Sequence, residues 1–238
     1  MTTVGWLSCS QAEVPGDDDW LSARERLALA ALRLPPRRMD WRLGRWTAKK
    51  AVGAWLASGG RLQSEAAEIM AAPDGAPEAF LAGRAAPLSL SLSHRDGLAV
   101  CAVAESEMAI GCDLEAVETR QEVFAEDWFT AQEVAAVRSA PPLLRDLVTT
   151  LVWSGKESAL KALREGLRLD TRDVVVQLAA SPAAAPQEWE AFTVAGPGDR
   201  RFAGRWRLHL GHVFTVVVPA PWEDDPVPLA HPSPPGVS

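Results

Sequence analysis

The sequence predicts a mixed fold of helices and strands in two comparable halves, and three patterns favour this prediction. Apolar residues recur at helical spacing over 20–34 and 40–58, and again over 130–140 and 143–166. Polar and apolar residues alternate over 88–104 and 108–115, as in half-buried strands. Further strands are expected at 172–179, 188–195 and 204–218. A length of 238 residues suits one large domain or two small packed halves.

The first half should contain two helices that Pro35-Pro36 separates. On the second helix four cations follow one another at i, i+4, i+7 and i+11 and so share one face: Arg38, Arg42, Arg45 and Lys49. Residues 33–50 hold seven basic side chains against Asp40, a local charge of +6, although the chain carries −7 in total. This pattern predicts an anion-binding face, and it is also compatible with a solvated helix face.

Carboxylates gather in the second half. Asp113 and Glu115 alternate with apolar residues on the strand at 108–115, so both point to the same side of it. The helix at 143–166 adds Glu157, and three carboxylates suit a magnesium ion. Taken singly, the strand acids are also typical of a solvated face, and Glu157 with Lys161 of an i, i+4 ion pair.

Composition excludes several classes of protein. The net charge argues against general nucleic-acid binding, which needs a basic surface. Three cysteines without zinc spacing favour a reducing compartment, and the start of the chain lacks the features of a signal peptide. We therefore expect a cytoplasmic protein that does not span a membrane. No internal sequence repeat is evident, although the two halves could repeat in structure without detectable identity. The proline-rich tail from residue 219 is expected to be disordered or loosely draped.

Three short segments resemble motifs of the 4'-phosphopantetheinyl transferase superfamily. Residues 110–115 (IGCDLE) resemble its G-x-D-x-E strand, residues 153–161 (WSGKESALK) its W-x-x-K-E-[SA]-x-x-K helix, and Ser93-His94 a third landmark. The separations, 19 residues from His94 to Asp113 and 44 from Asp113 to Glu157, are similar to those of the long, single-chain surfactin-synthetase type. Relatives often have Gly-[Arg/Lys]-Pro where this chain has Gly75-Ala76-Pro77, and Arg84 is a candidate replacement for the missing cation.

The resemblance implies an α+β fold with two pseudo-symmetric halves, each a helix packed on a small antiparallel sheet, and an active site between them. Residues 1–107 would bind coenzyme A, 108–218 would carry the metal-binding carboxylates, and 219–238 would form the tail. The implied enzyme, a holo-acyl-carrier-protein synthase, transfers the 4'-phosphopantetheine moiety of coenzyme A to a serine of an apo carrier protein. Adenosine 3',5'-bisphosphate is released. A monomer serving fatty-acid, polyketide or nonribosomal peptide synthesis is expected.

The resemblance also implies roles for single residues. Magnesium would be held by Asp113, Glu115 and Glu157, and the catalytic residues would be Asp113, Glu157 and Lys161. Coenzyme A would be bound by Arg38, Arg42, Arg45, Lys49, Ser93, His94, Lys156 and Lys161. The base is either Glu157 or a metal-bound water next to Glu115. Two alternatives remain: a non-catalytic module that binds coenzyme A or a carrier protein, and a magnesium-dependent nucleotide hydrolase.

Overall fold

The structure, a computed structural model, describes residues 2–59, 67–179, 182 and 188–230. These residues form two compact units. The N-terminal unit comprises Thr3–Glu107 and takes up residues 226–230 from the end of the chain, and the C-terminal unit comprises Met108–Asp225 together with Thr2. The assignment of a separate task to each part of the chain stays a prediction.

Helices and small antiparallel sheets alternate along the described chain, which confirms the predicted α+β class; the symmetry of the halves stays a prediction. The α-helices are α1 (Ala23–Ala31), α2 (Pro35–Ser58), α3 (Glu122–Trp128), α4 (Ala131–Ser139) and α5 (Arg145–Ala162). The strands are β1 (Val4–Ser10), β2 (Glu68–Ala71), β3 (Pro77–Leu81), β4 (Arg84–Ala85), β5 (Leu88–Arg95), β6 (Leu98–Glu105), β7 (Gly111–Ala116), β8 (Val175–Leu178), β9 (Glu190–Ala195), β10 (Arg201–His209), β11 (His212–Pro219) and β12 (Val227–Pro228).

In the N-terminal unit, helix α2 packs against strands β1, β5 and β6. The sheet has the order β12-β1-β6-β5, and β2, β3 and β4 form a second sheet. The core joins Leu43 and Val52 of α2 to Leu7 of β1 and Val103 of β6. Helix α2 begins at Pro35, earlier than the predicted start near residue 40. Amide hydrogens in the first turn of a helix have no partner within the helix, so a proline, which lacks one, is accommodated there.

In the C-terminal unit, helix α5 lies on a five-stranded antiparallel sheet of order β7-β11-β10-β9-β8. The segment 204–218, expected as one strand, belongs to a hairpin of β10 and β11 that turns at Leu210-Gly211. Both turn residues have positive φ angles, 49° and 82°. The apolar face of α5 supplies Leu151, Val152 and Leu160 to the core.

Both units contain the same buried contact between a glutamate and a lysine. Glu25 closes the capping box of α1 and accepts a hydrogen bond from the backbone amide of Ile69 at the start of β2. Its carboxylate also lies 2.7 Å from the ammonium of Lys49 on α2. Glu133 likewise closes the capping box of α4 and accepts a hydrogen bond from the backbone amide of Val176 on β8. Its carboxylate forms an ion pair with the ammonium of Lys156 on α5. We call each glutamate–lysine pair a clasp, because it ties two helices to the strand that follows them.

The sequence around the two clasps also repeats, contrary to the expectation that the chain contains no internal repeat. Residues 20–25 (WLSARE) correspond to 128–133 (WFTAQE), and 46–49 (WTAK) to 153–156 (WSGK). The paired tryptophans have the same edge-to-face contact: the rings of Trp20 and Trp46 are 5.2 Å apart, and those of Trp128 and Trp153 5.7 Å. The repeated residues are therefore those that build the clasp and its aromatic neighbour.

The beginning of the tail differs from the expected disorder. Trp222 is 5% exposed and donates its indole N–H to the carbonyl of Thr2, and the Arg205 guanidinium lies over its ring. Val227-Pro228 then pairs in parallel with β1. An aromatic anchor and an available sheet edge thus order residues 219–230, while 231–238 lie outside the described residues. Across the described parts of the chain, no helix has the length and apolar character needed to cross a membrane.

Candidate functional site

The carboxylates of the two motifs meet where strand β7 lies against helix α5. A Cβ atom on Gly111 would lie 1.7 Å from the carbonyl oxygen of Ser158, so only glycine lets the strand approach the helix this closely. Asp113, two residues further along β7, is 4% exposed. The interpretation of Asp113 as a solvated surface acid is therefore wrong, because its face of the strand is covered by the helix.

Lys161 reaches from α5 to the strand. Its ammonium lies 2.8 Å from the Asp113 carboxylate and donates to the carbonyl of Cys112 at 3.0 Å. Burial alone would lower the pKa of Lys161, but Asp113, Cys112 and Glu157 together raise it. The lysine is consequently charged at neutral pH, and its side chain is still 28% exposed.

Glu157 shares the electrostatic environment of these groups. Its pKa is raised, first by burial and then by the negative charges of Asp113 and Glu115, against the opposing effect of Lys161. The three predicted metal ligands therefore repel one another in this structure. A cation among them would relieve this repulsion.

Glu115 is held from both sides. One carboxylate oxygen accepts the indole N–H of Trp153 at 3.0 Å, and the other lies 3.3 Å from the guanidinium of Arg120. Arg120 is not among the site residues predicted from the sequence. Its signal was an isolated basic residue within the acidic segment 115–127.

The donor types of the site fit a magnesium ion, although the side chains do not enclose one. Within residues 2–59, 67–179 and 188–230, no group of three or more His, Cys, Asp and Glu side chains has metal-binding geometry. The carboxylates of Asp113 and Glu115 are turned to Lys161, Trp153 and Arg120. Three mutually repelling carboxylates are nevertheless the oxygen-donor set that a hard divalent cation prefers.

The other motif lysine, Lys156, faces away from this site. Its three N–H groups are taken up by Glu133 and by the carbonyls of Thr171 and Val174, and the side chain is fully buried. Burial lowers its pKa, while Glu133 acts in the opposite direction. The ammonium of Lys156 is thus saturated with partners inside the C-terminal unit. A contact of Lys156 with a phosphate of coenzyme A stays a prediction, and it would require the lysine to give up one of these partners.

The basic face of α2 is mostly committed to contacts inside the N-terminal unit. Arg38 donates to the carbonyls of Leu29 and Leu32, Arg42 pairs with Asp18, and Lys49 belongs to the clasp. Arg45 differs: it stacks on Trp41 at 4.6 Å but has no hydrogen bond or ion pair within the described residues. Of the four cations, Arg45 is the strongest candidate for binding an anion.

The third landmark, Ser93-His94, lies at the end of β5. Ser93 is buried and His94 is exposed, next to the turn at Asp96-Gly97, where both residues have positive φ angles. Arg84, the candidate replacement for the missing cation, is exposed in β4. A contact of these residues with coenzyme A stays a prediction.

Residues 109–192 match the 4'-phosphopantetheinyl transferase superfamily. The matched segment runs from β7 through α5 into β9 and so contains both carboxylate motifs, Lys156 and Lys161. No curated protein matches the chain. The superfamily match supports a general function in 4'-phosphopantetheine transfer.

Proposed function

We propose that this chain transfers the 4'-phosphopantetheine moiety of coenzyme A to a serine hydroxyl of an apo acyl or peptidyl carrier protein. Adenosine 3',5'-bisphosphate is the second product. One observation carries the proposal: Asp113, Glu115, Glu157 and Lys161 come together on β7 and α5, within the segment that matches the superfamily.

The three carboxylates are the proposed ligands of magnesium. When bound, the ion would neutralise charge on the pyrophosphate of coenzyme A during transfer. Asp113, Glu115 and Glu157 would hold it through carboxylate oxygens.

Glu157 is the proposed base, the metal-bound water next to Glu115 being the alternative. The pKa of Glu157 is raised by burial and by the two neighbouring acids, and a raised pKa makes a carboxylate a stronger base. Glu157 would take the proton of the carrier serine as the serine oxygen bonds to the β-phosphorus. The bond from that phosphorus to the departing bisphosphate breaks in the same step.

Lys161 would stabilise the leaving bisphosphate. Its ammonium is charged and partly exposed, and it lies beside the acids. A cation there gains interaction energy as negative charge develops on the leaving oxygen. Further contacts to the phosphates of coenzyme A are proposed for Ser93, His94 and Arg45.

The experiment is mass spectrometry of several apo carrier proteins incubated with the chain, coenzyme A and magnesium. The expected product is a carrier protein heavier by one phosphopantetheine group, absent when the carrier serine is replaced by alanine. Release of adenosine 3',5'-bisphosphate without carrier modification would instead indicate a hydrolase. Binding of coenzyme A without turnover on any carrier would indicate a binding module.

A further inference from the structure

Arg120 occupies an unusual position beside the carboxylates. It lies in the segment between β7 and α3, and its side chain is 15% exposed. Its guanidinium stacks over the ring of Phe124 at 4.5 Å and lies 3.3 Å from Glu115. Stacking and ion pairing together hold it in a defined place, unlike a mobile surface arginine.

The two cations of the site balance part of its negative charge. Lys161 pairs with Asp113, and Arg120 pairs with Glu115. Each strand acid is thus already paired with a cation of the chain itself. A divalent cation at these acids has to compete with the existing partners.

We propose that Arg120 is a resident counter-cation of Glu115 which a divalent metal ion must displace, so that Arg120 sets the metal affinity of the site. This inference rests on the proposed function, because it assumes that Glu115 is a metal ligand.

Two contacts argue for displacement rather than for a role in orienting Glu115. Trp153 already fixes the carboxylate of Glu115 through its indole N–H at 3.0 Å. The guanidinium of Arg120 also has a second carboxylate within reach, because Glu118 lies 3.8 Å away and is half exposed. A displaced Arg120 can therefore keep an ionic partner while Glu115 turns to the metal.

The test is a titration of the full chain with Mn²⁺ in the absence of coenzyme A, with free Mn²⁺ measured by electron paramagnetic resonance. Arg120→Gln should bind Mn²⁺ about five-fold more tightly than the unmodified chain, the upper end of what removing one competing ion pair gives. Arg120→Lys, which keeps the charge but loses the planar stacking on Phe124, should tighten binding by a smaller factor. Circular dichroism establishes that each variant is folded.

Arg138→Gln is the matched control, because Arg138 is an exposed arginine of the same unit that pairs with Glu126. It should change Mn²⁺ affinity less than two-fold, which separates local competition from a general change in net charge. Unchanged or weaker binding in both Arg120 variants would overturn the inference, and weaker binding would identify Arg120 as a residue that orients Glu115.

Asp113→Asn distinguishes this inference from the proposed function. It should abolish Mn²⁺ binding if the acids hold a metal, whatever Arg120 does. Loss of binding in Asp113→Asn with no effect of Arg120→Gln would reject only the role of Arg120. No Mn²⁺ binding by the unmodified chain or by Arg120→Gln would reject the metal site itself.

Discussion

The N-terminal and C-terminal units each contain a clasp, but they differ in the residues beside it. Each unit has a closely packed glycine on one strand, Gly5 on β1 and Gly111 on β7. Two and four residues after Gly5 lie Leu7 and Cys9, whereas two and four residues after Gly111 lie Asp113 and Glu115. One residue after the clasp lysine, Lys50 stands where the C-terminal unit has Glu157. Burial raises the pKa of the Cys9 thiol to about 11, and Lys50 acts in the opposite direction. The same framework thus carries acids in one unit and none at these positions in the other.

This difference separates residues that build the fold from the residues of the candidate site. The clasp ties helices to a strand in both units, whether or not acids are present. Lys156 belongs to the clasp although it lies inside the W-x-x-K-E-[SA]-x-x-K motif. The motif therefore combines a framework lysine with two residues, Glu157 and Lys161, that lie at the candidate site.

The largest expected effect tests whether the two clasps are equivalent. Lys49→Met and Lys156→Met should each lower the free energy of unfolding by about 3 to 5 kcal/mol, because each leaves a buried glutamate charge without its cation. Chemical denaturation measures this loss. Transfer activity per folded molecule should stay within about three-fold of the unmodified chain.

Two outcomes would break the comparison. A large loss of stability in one variant and none in the other would show that the clasps are not equivalent. A loss of kcat in folded Lys156→Met, without one in Lys49→Met, would restore a role for Lys156 in the reaction.

Asp113 gives the largest expected effect on chemistry. Asp113→Asn should lower the rate of transfer at least about 100-fold, because a neutral amide replaces a proposed ligand of the charge-neutralising ion. Glu126→Gln is the control, since this exposed acid of the same unit pairs with Arg138 away from β7. Near-normal transfer by Asp113→Asn at limiting magnesium would refute the metal assignment.

Much of the site could be predicted from the sequence because its signals are local. The alternation around Asp113 and Glu115 indicates a shared face, and the spacing of Glu157 and Lys161 indicates neighbouring positions on a helix. The contacts of Lys156 could not be predicted, because its partners Glu133 and Val174 come from distant parts of the chain. The repeat was hidden for a related reason: its matching residues are a few short pieces separated by unrelated sequence.

The two motif lysines should also separate in kinetics. Lys161→Ala should lower kcat about 100-fold, because its charge is needed most when the leaving oxygen becomes negative. It should also lower stability somewhat, since Asp113 loses a close partner. Lys156→Met, which loses stability and keeps kcat, is the matched comparison. Full kcat in Lys161→Ala at saturating coenzyme A and carrier protein would refute a catalytic role of Lys161. The ion pair with Asp113 would then be its only assigned role.

Arg45 tests whether the N-terminal unit contributes to the binding of coenzyme A. Arg45→Ala should weaken the binding of coenzyme A by about 1 to 3 kcal/mol, the range for a charged hydrogen bond to phosphate. Isothermal titration calorimetry measures the Kd. Arg24→Ala removes an exposed arginine of the same unit that pairs with Glu68 and should leave the Kd unchanged. Equal Kd values for both variants would place the anion site elsewhere.

The smallest expected effect concerns the hairpins of the two units, which share a two-residue turn. The N-terminal turn has Asp96-Gly97 with φ angles of 51° and 75°, and the C-terminal turn has Leu210-Gly211 with 49° and 82°. Leucine is strained in this left-handed region, whereas aspartate and asparagine tolerate it. Leu210 is 71% exposed, so little apolar burial is lost on replacement. Leu210→Asn should therefore raise the free energy of unfolding by about 1 kcal/mol, and Asp96→Leu should lower it by a similar amount. Denaturant titration of both variants measures the pair, and a Leu210→Asn chain no more stable than the unmodified one would show that the two turns are not equivalent.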